Sequence, residues 1–210
     1  MCMETFLRLP EEKRTRFLDA AWEEFTRVSF AEASTNQIVR RAGVPRGSFY
    51  QYFRDKEDLF AYLMTQARDH FIELYAHIME EAGGDFFKTQ LLCFEGFARQ
   101  GAEKDVLFNR CVQVLRLNPG LHMQMISEDQ PGCRMLANLV KAADLSGFES
   151  EETAQQAFSL SLVALAGCIM DSLAEPERTD EFRHQLELRL NIIKWGCLTA
   201  DGAGAARRSI

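Results

Sequence analysis

Apolar side chains recur every three or four residues along most of the chain, which is the period of an α-helix with one buried face. The pattern begins near Pro10, where Phe17, Ala21, Phe25 and Val28 form one stripe. Glycine and proline residues separate this stripe from further helical segments. The later long segments cover residues 56–81, 86–100, 104–118, 132–143, 150–174 and 179–198. The pattern therefore predicts an all-α protein.

Two short helices with a turn between them are predicted after the first stripe. Ser34 can cap the first short helix, with Gln37 three residues on, so that each side chain pairs with the other residue's amide. A left-handed backbone costs least at glycine, and Gly43 can therefore end this helix. Pro45 fits the first turn of the second short helix. Asp55 can cap the long helix that follows. The arrangement is a helix-turn-helix.

The second short helix presents side chains suited to a DNA groove. Phe49 and Phe53 supply its buried stripe, which leaves Arg46 and Gln51 facing outward. Arginine can pair with guanine and glutamine with adenine in the major groove, while tyrosine hydroxyls and Lys56 suit phosphates. The alternative is a solvated helical hairpin. The candidate DNA-binding residues are Ser34, Thr35, Arg46, Gly47, Ser48, Tyr50, Gln51, Tyr52 and Lys56.

Positive charge is concentrated at the N-terminal end of an acidic chain. The formal net charge is −7; residues 1–56 carry 10 Lys/Arg and 8 Asp/Glu, and the remainder carries 14 and 23. The two parts are therefore +2 and −9. A basic segment on an acidic protein favours a polyanionic partner, and for two short helices duplex DNA is expected. DNA binding is thus predicted at the N-terminal end only.

Residues 17–59 resemble the N-terminal domain of the TetR (tetracycline repressor) family of bacterial transcription regulators. The matching segments are FLDAAWEEF at 17–25, STNQIVRRAGVPRGSFYQYF at 34–53 and DKEDL at 55–59. The resemblance implies a dimeric regulator whose C-terminal domain binds a small-molecule effector and thereby changes operator binding. One departure is Pro45, which replaces the usual Ser or Thr and removes one candidate phosphate contact.

The predicted domain organisation follows from the elements and the resemblance together. A three-helix helix-turn-helix domain is expected over residues 10–56, with the start of the fourth helix continuing to about residue 70. Residues 57–200 are expected to form a C-terminal helical domain for effector binding and dimerisation. Residues 201–210 are predicted to be a flexible tail.

The last two predicted helices carry more apolar surface than one chain needs. From Phe158 onward, the helix capped by Ser150 is apolar on nearly every face, and a helix of this kind must be buried all round. We therefore predict a twofold dimer built as an intermolecular four-helix bundle. Its operator is expected to be palindromic, with half-sites about 34 Å or a little more apart. The predicted interface residues are Leu162, Leu165, Ile169, Leu188, Ile192 and Trp195.

An apolar effector pocket in the C-terminal domain is a weaker expectation, because the same residues can be ordinary core. Its candidate lining is Phe87, Phe94, Phe108, Cys111, Met123 and Met125. No cofactor is expected. The six cysteines are scattered without a C-x-x-C pair, and reduced core thiols are expected from them. A thiol-responsive regulator stays an alternative, although it needs an exposed thiolate of low pKa. His70 and His77 lie two turns apart, too far for one metal ion unaided.

Neither a membrane protein nor an enzyme is favoured by the sequence. The most apolar run, residues 158–173, contains Asp171 and is shorter than a bilayer requires, and residues 1–13 lack the apolar core of a signal peptide. A cytoplasmic location is therefore expected. Cysteine and histidine fall into no activating arrangement for catalysis. A dimeric helical ligand-binding protein without DNA binding is the main alternative to a regulator.

Overall fold

The computed structural model describes residues 4–99, 105–118, 143 and 147–197. The regular elements within these ranges are helical, which confirms the predicted all-α class. The α-helices are α1 (Glu4–Leu7), α2 (Glu11–Arg27), α3 (Thr35–Ala42), α4 (Arg46–Tyr52), α5 (Lys56–Glu81), α6 (Phe86–Phe94), α7 (Val106–Leu117), α8 (Glu151–Ala174) and α9 (Thr179–Cys197). A π-helical turn, Glu95–Arg99, continues α6, and a 3-10 turn, Pro176–Arg178, joins α8 to α9. The predicted helix at 132–143 and the tail at 201–210 lie outside the described residues.

The chain divides into two compact units. The first unit comprises residues 1–70 and 106–125, and the second comprises residues 71–105 and 126–210. Helix α7 therefore groups with the N-terminal part, although the sequence assigned it to the C-terminal domain. The functional division at residues 56 and 57 stays a prediction.

Helix α1 was not predicted from the sequence, and its single buried side chain enters the core of the first unit. Phe6 is 0% exposed. Its ring lies 5.5 Å from the Phe17 ring on α2 and 5.0 Å from the ring of Phe53, just after α4. A four-residue helix buries little surface by itself, so its place depends on this aromatic contact. The first unit is consequently a five-helix arrangement before α7 joins it.

Helix α7 is held to the first unit by polar and cation–π contacts. The Arg110 guanidinium donates to Asp19 Oδ1 at 2.8 Å and lies 5.9 Å from the Trp22 ring centroid. Asn118 Oδ1, at the end of α7, accepts a hydrogen bond from the Phe30 amide at 2.8 Å. These contacts join residues about 90 positions apart in the sequence, and no local pattern could indicate them.

The second unit is built on α8 and α9, with α6 packed against both. Ser150 caps α8 as expected, since its Oγ accepts a hydrogen bond from the Thr153 amide at 3.1 Å. One face of α9 buries Phe182, Leu186 and Leu190. Arg183 on the same helix pairs with Glu95 after α6. Burial in this unit is therefore mainly apolar, with a few neutral polar side chains.

Helix α8 has the length and apolar composition of a membrane span. Within its most apolar 18-residue window, 39% of the residues are buried inside the protein. Core helices of soluble proteins can have the same length and apolar composition, so these two properties alone are weak evidence that α8 spans a membrane. The helix also keeps Leu160 and Val163 exposed, at 57% and 41%.

Candidate nucleic-acid interface

Glu24 on α2 is the buried ionic centre that fixes the start of the helix-turn-helix. The side chain is 1% exposed. Its Oε2 accepts hydrogen bonds from the guanidinium groups of Arg27 and Arg41, each at 2.8 Å, and its Oε1 accepts one from the Ser34 amide at 3.0 Å. Burial alone raises the pKa of Glu24, but the hydrogen bonds from Arg27 and Ser34 and the two arginine charges together hold it below the usual value. The carboxylate therefore stays ionised and ties α3 to α2.

This contact corrects the predicted capping box at Ser34. The Ser34 side chain makes no cap hydrogen bond, and its amide donates to Glu24 instead of to Gln37. A carboxylate carried by a neighbouring helix offers the same acceptor as the predicted glutamine, with a full charge. Thr35, the first residue of α3, is half-buried like Ser34. Both residues stay candidates for phosphate contact by their position at the start of α3.

The turn between α3 and α4 forms as the sequence predicts. Gly43 has a φ of 64°, in the left-handed region. Its amide donates to Arg40 O at 3.3 Å, and the Val44 amide donates to Val39 O at 3.0 Å, so the last carbonyls of α3 are satisfied. A side chain other than glycine is strained at this φ. The angle between α3 and α4 therefore depends on this position.

Helix α4 has one buried face and one solvent face. Phe49 is 1% exposed and lies on the buried face, whereas Arg46, Gly47 and Gln51 are exposed. Tyr50 is 53% exposed, which is unusual for an aromatic side chain in a helix that is otherwise well anchored. Ser48 is half-buried. An arginine, a glutamine and a tyrosine thus project together from a short helix, as a major-groove helix requires.

Tyr52 is a correction to the predicted outward set. It is 8% exposed and lies on the buried face. Its ring contacts Phe6 at 5.6 Å and Phe17 at 5.6 Å between centroids. One partner ring, Phe6, comes from α1, which the hydrophobic pattern did not predict, whereas the other, Phe17, belongs to the predicted stripe of α2. Tyr52 therefore anchors α4 to the core.

Lys56 is also engaged within the protein. Its ammonium donates to the carbonyl oxygens of Phe30, Ala31 and Ala33 at 2.7, 3.2 and 3.1 Å, and it lies 4.6 Å from the Phe30 ring centroid. An ammonium group has three donors, and all three are accounted for. Lys56 thus joins the start of α5 to the loop between α2 and α3. The phosphate contact expected from the sequence would require these bonds to break.

The free positive charge of the helix-turn-helix is smaller than the sequence count indicates. Arg41 is engaged by Glu23 and Glu24, and the guanidinium of Arg54 forms an ion pair with Asp58 Oδ1 at 3.6 Å. Within the described part of the chain, Arg40 and Arg46 are exposed and have no acidic partner. These two side chains are the cations available to a polyanion at α3 and α4.

Residues 17–63 match the sequence profile of bacterial regulatory proteins of the tetR family. The match contains α3, α4 and the turn at Gly43. Residues 17–63 are thus similar to the DNA-binding domain of the TetR family, as the sequence predicted.

Two curated relatives match part of the chain. The chain is 38% identical over 87 residues to the uncharacterized HTH-type transcriptional regulator YdgC of Bacillus subtilis, covering 40% of this chain and 45% of YdgC. It is 39% identical over 64 residues to the HTH-type transcriptional regulator SrpR of Pseudomonas putida, covering 30% of each chain. The matches span less than half of either relative.

Solved TetR-like structures share the fold over most of the chain. The SmeT–triclosan complex is 18% identical, with a TM-score of 0.61, and the match covers 91% of this chain and 94% of SmeT, the repressor of the SmeDEF multidrug efflux pump of Stenotrophomonas maltophilia. NalD, the secondary repressor of the MexAB-OprM efflux pump of Pseudomonas aeruginosa, is 22% identical, with a TM-score of 0.57 and coverages of 90% and 98%. At these identities the likeness concerns the fold alone.

The predicted effector-pocket residues fall in both units. Phe87 and Phe94 are buried in the second unit, whereas Phe108 and Cys111 are buried in the first unit. Met123 and Met125 lie outside the described residues. The lining of an effector pocket by these six residues stays a prediction.

The predicted dimer residues divide by their exposure. Leu165 and Ile169 are 7% and 8% exposed because they pack within their own chain, which corrects their assignment to an interface. Leu188 and Ile192 on α9 are 50% and 74% exposed. Leu162 and Trp195 are half-buried. Two exposed residues of α8, Leu160 and Val163, were not on the predicted set although they lie on an apolar helix.

The cysteines with described side chains do not have the properties of redox sensors. Cys93, Cys111 and Cys168 are buried, as core thiols are expected to be. Burial raises the pKa of Cys93 to about 12 and also raises that of Cys168, where the Arg189 charge opposes the effect only in part. A redox-sensing thiol must instead be exposed and have a lowered pKa. Among the described residues, no group of three or more His, Cys, Asp or Glu side chains could hold a metal ion.

Proposed function

We propose that this protein is a homodimeric transcriptional repressor that binds a palindromic operator through α4 and is released by a small-molecule effector. The observation that carries the proposal is the solvent face of α4. Arg46, Tyr50 and Gln51 are exposed on a helix whose other face is fixed by Phe49 and Tyr52. A rigidly held helix can keep these side chains at the depth of a groove without rearrangement.

The contacts expected of this face differ in kind. Arg46 can donate two hydrogen bonds to one guanine, and Gln51 can pair in the same way with adenine. Arg40 at the exposed end of α3, together with the Tyr50 hydroxyl, suits phosphates. Arg46 and Gln51 would give sequence preference. Arg40 and Tyr50 would fix the position of the protein on the duplex.

Dimerisation is proposed through α8 and α9. Four large apolar side chains of these helices are exposed in the single chain, namely Leu160, Val163, Leu188 and Ile192. Several exposed apolar residues on two adjacent helices are typical of an interaction surface. A twofold partner would bury them and would present two α4 helices to two half-sites about 34 Å apart.

Footprinting on the DNA that flanks the gene, repeated with purified variants, tests the DNA-binding proposal. We expect Arg46→Ala to weaken operator binding about 5- to 150-fold, the range for one lost base contact. Tyr50→Ala removes a phosphate contact and should weaken binding to all sequences alike. Arg178→Ala removes the same charge in the second unit and is the matched control. If both α4 variants bind the operator as the wild type does, α4 is not the recognition helix.

Sedimentation of Ile192→Glu tests the dimer separately. The charge would be buried against the partner, so a concentration-dependent shift to monomer is expected. Leu7→Glu places the same change on an exposed residue of α1 and should leave the dimer unchanged. A dimeric Ile192→Glu protein would contradict the proposed interface.

Release by an effector needs only a modest coupling between the two binding events. A coupling free energy of about 1–3 kcal/mol changes operator affinity about 5- to 150-fold. A transcriptional repressor of this kind acts in the cytoplasm, which is the location we propose. A dimer that binds small molecules but prefers no promoter fragment over random duplex would instead support the ligand-binding alternative.

A further inference from the structure

The second unit contains a buried polar cluster that the helix-turn-helix does not use. Its members are Tyr75 on α5, Gln90 on α6 and Ser161 on α8, which are 8%, 0% and 0% exposed. Gln90 Nε2 donates to Ser161 Oγ at 2.7 Å, and Ser161 Oγ donates to the carbonyl of Phe158 at 2.7 Å. We call these three residues the neutral cluster.

Two atoms of the neutral cluster lack a hydrogen-bond partner among the described residues. They are the Tyr75 hydroxyl and Gln90 Oε1. Buried polar side-chain atoms in native proteins are nearly always paired, and an exception requires a reason. Gln90 Oε1 can only accept a hydrogen bond, whereas the Tyr75 hydroxyl can donate or accept one.

Both unpaired groups belong to the same packed interior. The Tyr75 ring meets the Phe158 ring edge-on at 5.9 Å, and Phe158 is the residue whose carbonyl accepts from Ser161. Burial is the main cause that raises the pKa of Tyr75 far above its usual value, and the neighbouring Cys93 adds to it. The hydroxyl is therefore neutral at physiological pH and keeps its proton for donation.

The surroundings of the neutral cluster are mainly aromatic. The Phe86 ring lies 5.7 Å from the Phe158 ring, 4.3 Å from that of Phe87 and 5.4 Å from that of Phe148. Lys194 Nζ lies 5.6 Å from the Phe87 ring centroid. In the described part of the second unit, the buried polar residues are Thr89, Gln90, Ser161 and Ser172, and none is charged. None of these buried residues offers a counter-ion to a charged ligand group, and burial of an unpaired charge is strongly unfavourable.

We propose that the Tyr75 hydroxyl and Gln90 Oε1 form the polar anchor of a ligand site for a neutral, largely apolar molecule that carries a hydroxyl group. A hydroxyl supplies what both atoms lack, because it donates one hydrogen bond to Gln90 Oε1 and accepts one from the Tyr75 hydroxyl. The aromatic rings would contact the apolar body. That the ligand acts as the effector depends on the proposed function, whereas binding itself does not.

A buried water molecule could satisfy the same two atoms, and the test must separate the two cases. Calorimetry of the full-length protein without DNA uses three probes, namely para-butylphenol, its methyl ether and para-butylbenzoate. The ether keeps the apolar body but cannot donate, and the benzoate carries a charge. We expect the phenol to bind about tenfold more tightly than the ether, as one lost hydrogen bond of ordinary strength requires. The benzoate should bind more weakly than either.

Variants of the neutral cluster locate the binding. Gln90→Met removes the acceptor of the phenol's hydrogen bond while keeping most of the side-chain volume, and it should reduce the preference for the phenol to about twofold or less. Tyr75→Phe removes a donor from which the oxygen of either probe can accept, so it should weaken the binding of both probes and keep the preference. Gln155→Met makes the same replacement on the exposed face of α8 and should keep the full preference. Equal binding of phenol and ether to the wild type, or no binding of either, overturns the proposal and leaves buried water as the explanation. A full preference that persists in Gln90→Met also overturns it. If a variant does not fold, the comparison of the probes on the wild type decides.

Operator footprinting keeps this inference distinct from the proposed function. A protein that prefers the phenol but binds no operator removes the repressor proposal and leaves the ligand site in place. A protein that binds its operator but shows no preference for the phenol removes the ligand site and leaves the repressor proposal in place.

Discussion

The two units bury polar groups in opposite ways. The first unit buries two carboxylates, Glu24 and Asp58, at 1% and 5% exposure, whereas the buried polar residues described in the second unit are all neutral. Glu24 accepts hydrogen bonds from Ser34 and Arg41, which fix α3 relative to α2, and from Arg27 within α2. The neutral cluster of the second unit instead keeps two atoms unpaired.

This difference indicates what each unit is built to do. A fully satisfied ionic centre holds its partners in one arrangement, because any movement leaves a charge unpaired. A neutral cluster with unpaired atoms is less costly to rearrange and can gain stability from a ligand. The first unit is thus suited to hold a fixed surface, and the second unit is suited to respond.

Phe6→Ala should have the largest effect on stability. It tests whether α1 contributes to the rigid core of the first unit. The side chain is fully buried among aromatic rings, so we expect a loss of about 3–5 kcal/mol in the free energy of unfolding. Chemical denaturation monitored by circular dichroism measures it. Leu7→Ala, at a residue 52% exposed, is the control and should change stability by less than about 0.5 kcal/mol. Equal effects of the two changes would show that α1 does not contribute to the core.

Glu24→Gln tests the ionic centre directly. The amide can accept hydrogen bonds but offers no charge to Arg27 and Arg41, both of which are partly exposed, so we expect a loss of about 2–3 kcal/mol. Because the pKa of Glu24 is lowered in the folded protein, its contribution is fully present above the unfolded value of about 4.5 and disappears as the pH falls below it. Stability measured against pH should therefore fall less steeply below that value in the variant. Glu23→Gln, at an exposed residue, is the control, and identical pH profiles of wild type and Glu24→Gln would contradict the assignment.

Lys56→Met distinguishes an internal contact from a phosphate contact. Loss of three hydrogen bonds to carbonyl groups should reduce stability by about 1.5 kcal/mol. The salt dependence of operator binding should keep its slope, whereas Arg40→Gln should reduce that slope by about 0.9, the value for one phosphate. A reduced slope for Lys56→Met would instead support the role expected from the sequence.

The smallest effect concerns the two serine positions at helix starts. Ser150→Ala should reduce stability by about 1 kcal/mol, since the Ser150 Oγ caps α8. Ser34→Ala should change it by less than about 0.5 kcal/mol, because the Ser34 side chain makes no cap hydrogen bond. Thermal unfolding of the two variants side by side measures the difference. Equal losses would mean that the Ser34 hydroxyl does cap α3 in solution.

The sequence predicted elements that depend on local chemistry. The turn at Gly43 needs a left-handed residue, and the caps by Ser150 and Asp55 need only neighbours three residues away. The hydrophobic period also placed α2, α5, α8 and α9 within a few residues of their observed bounds. Each of these features is decided within about two helical turns of the chain.

What the sequence missed depends on contacts between distant residues. Lys56 and Arg41 were both counted as cations for DNA, but their partners lie 15 or more residues away. Tyr52 was placed outward because its partner, Phe6, comes from a four-residue helix too short to show a hydrophobic period. Leu165 and Ile169 were indistinguishable from exposed neighbours on a helix that is apolar all round. A periodic pattern indicates that a residue is apolar, but not which neighbour covers it.

Phe6 also affects how the DNA-binding part can be isolated. The family match starts at residue 17, so a fragment cut at that border would leave a gap beside Phe17 and Phe53 where an aromatic ring belongs. Such a fragment would lose its fold sooner on heating and could fail to bind DNA although every groove-facing side chain is present. Dissection of this protein should therefore begin no later than residue 4.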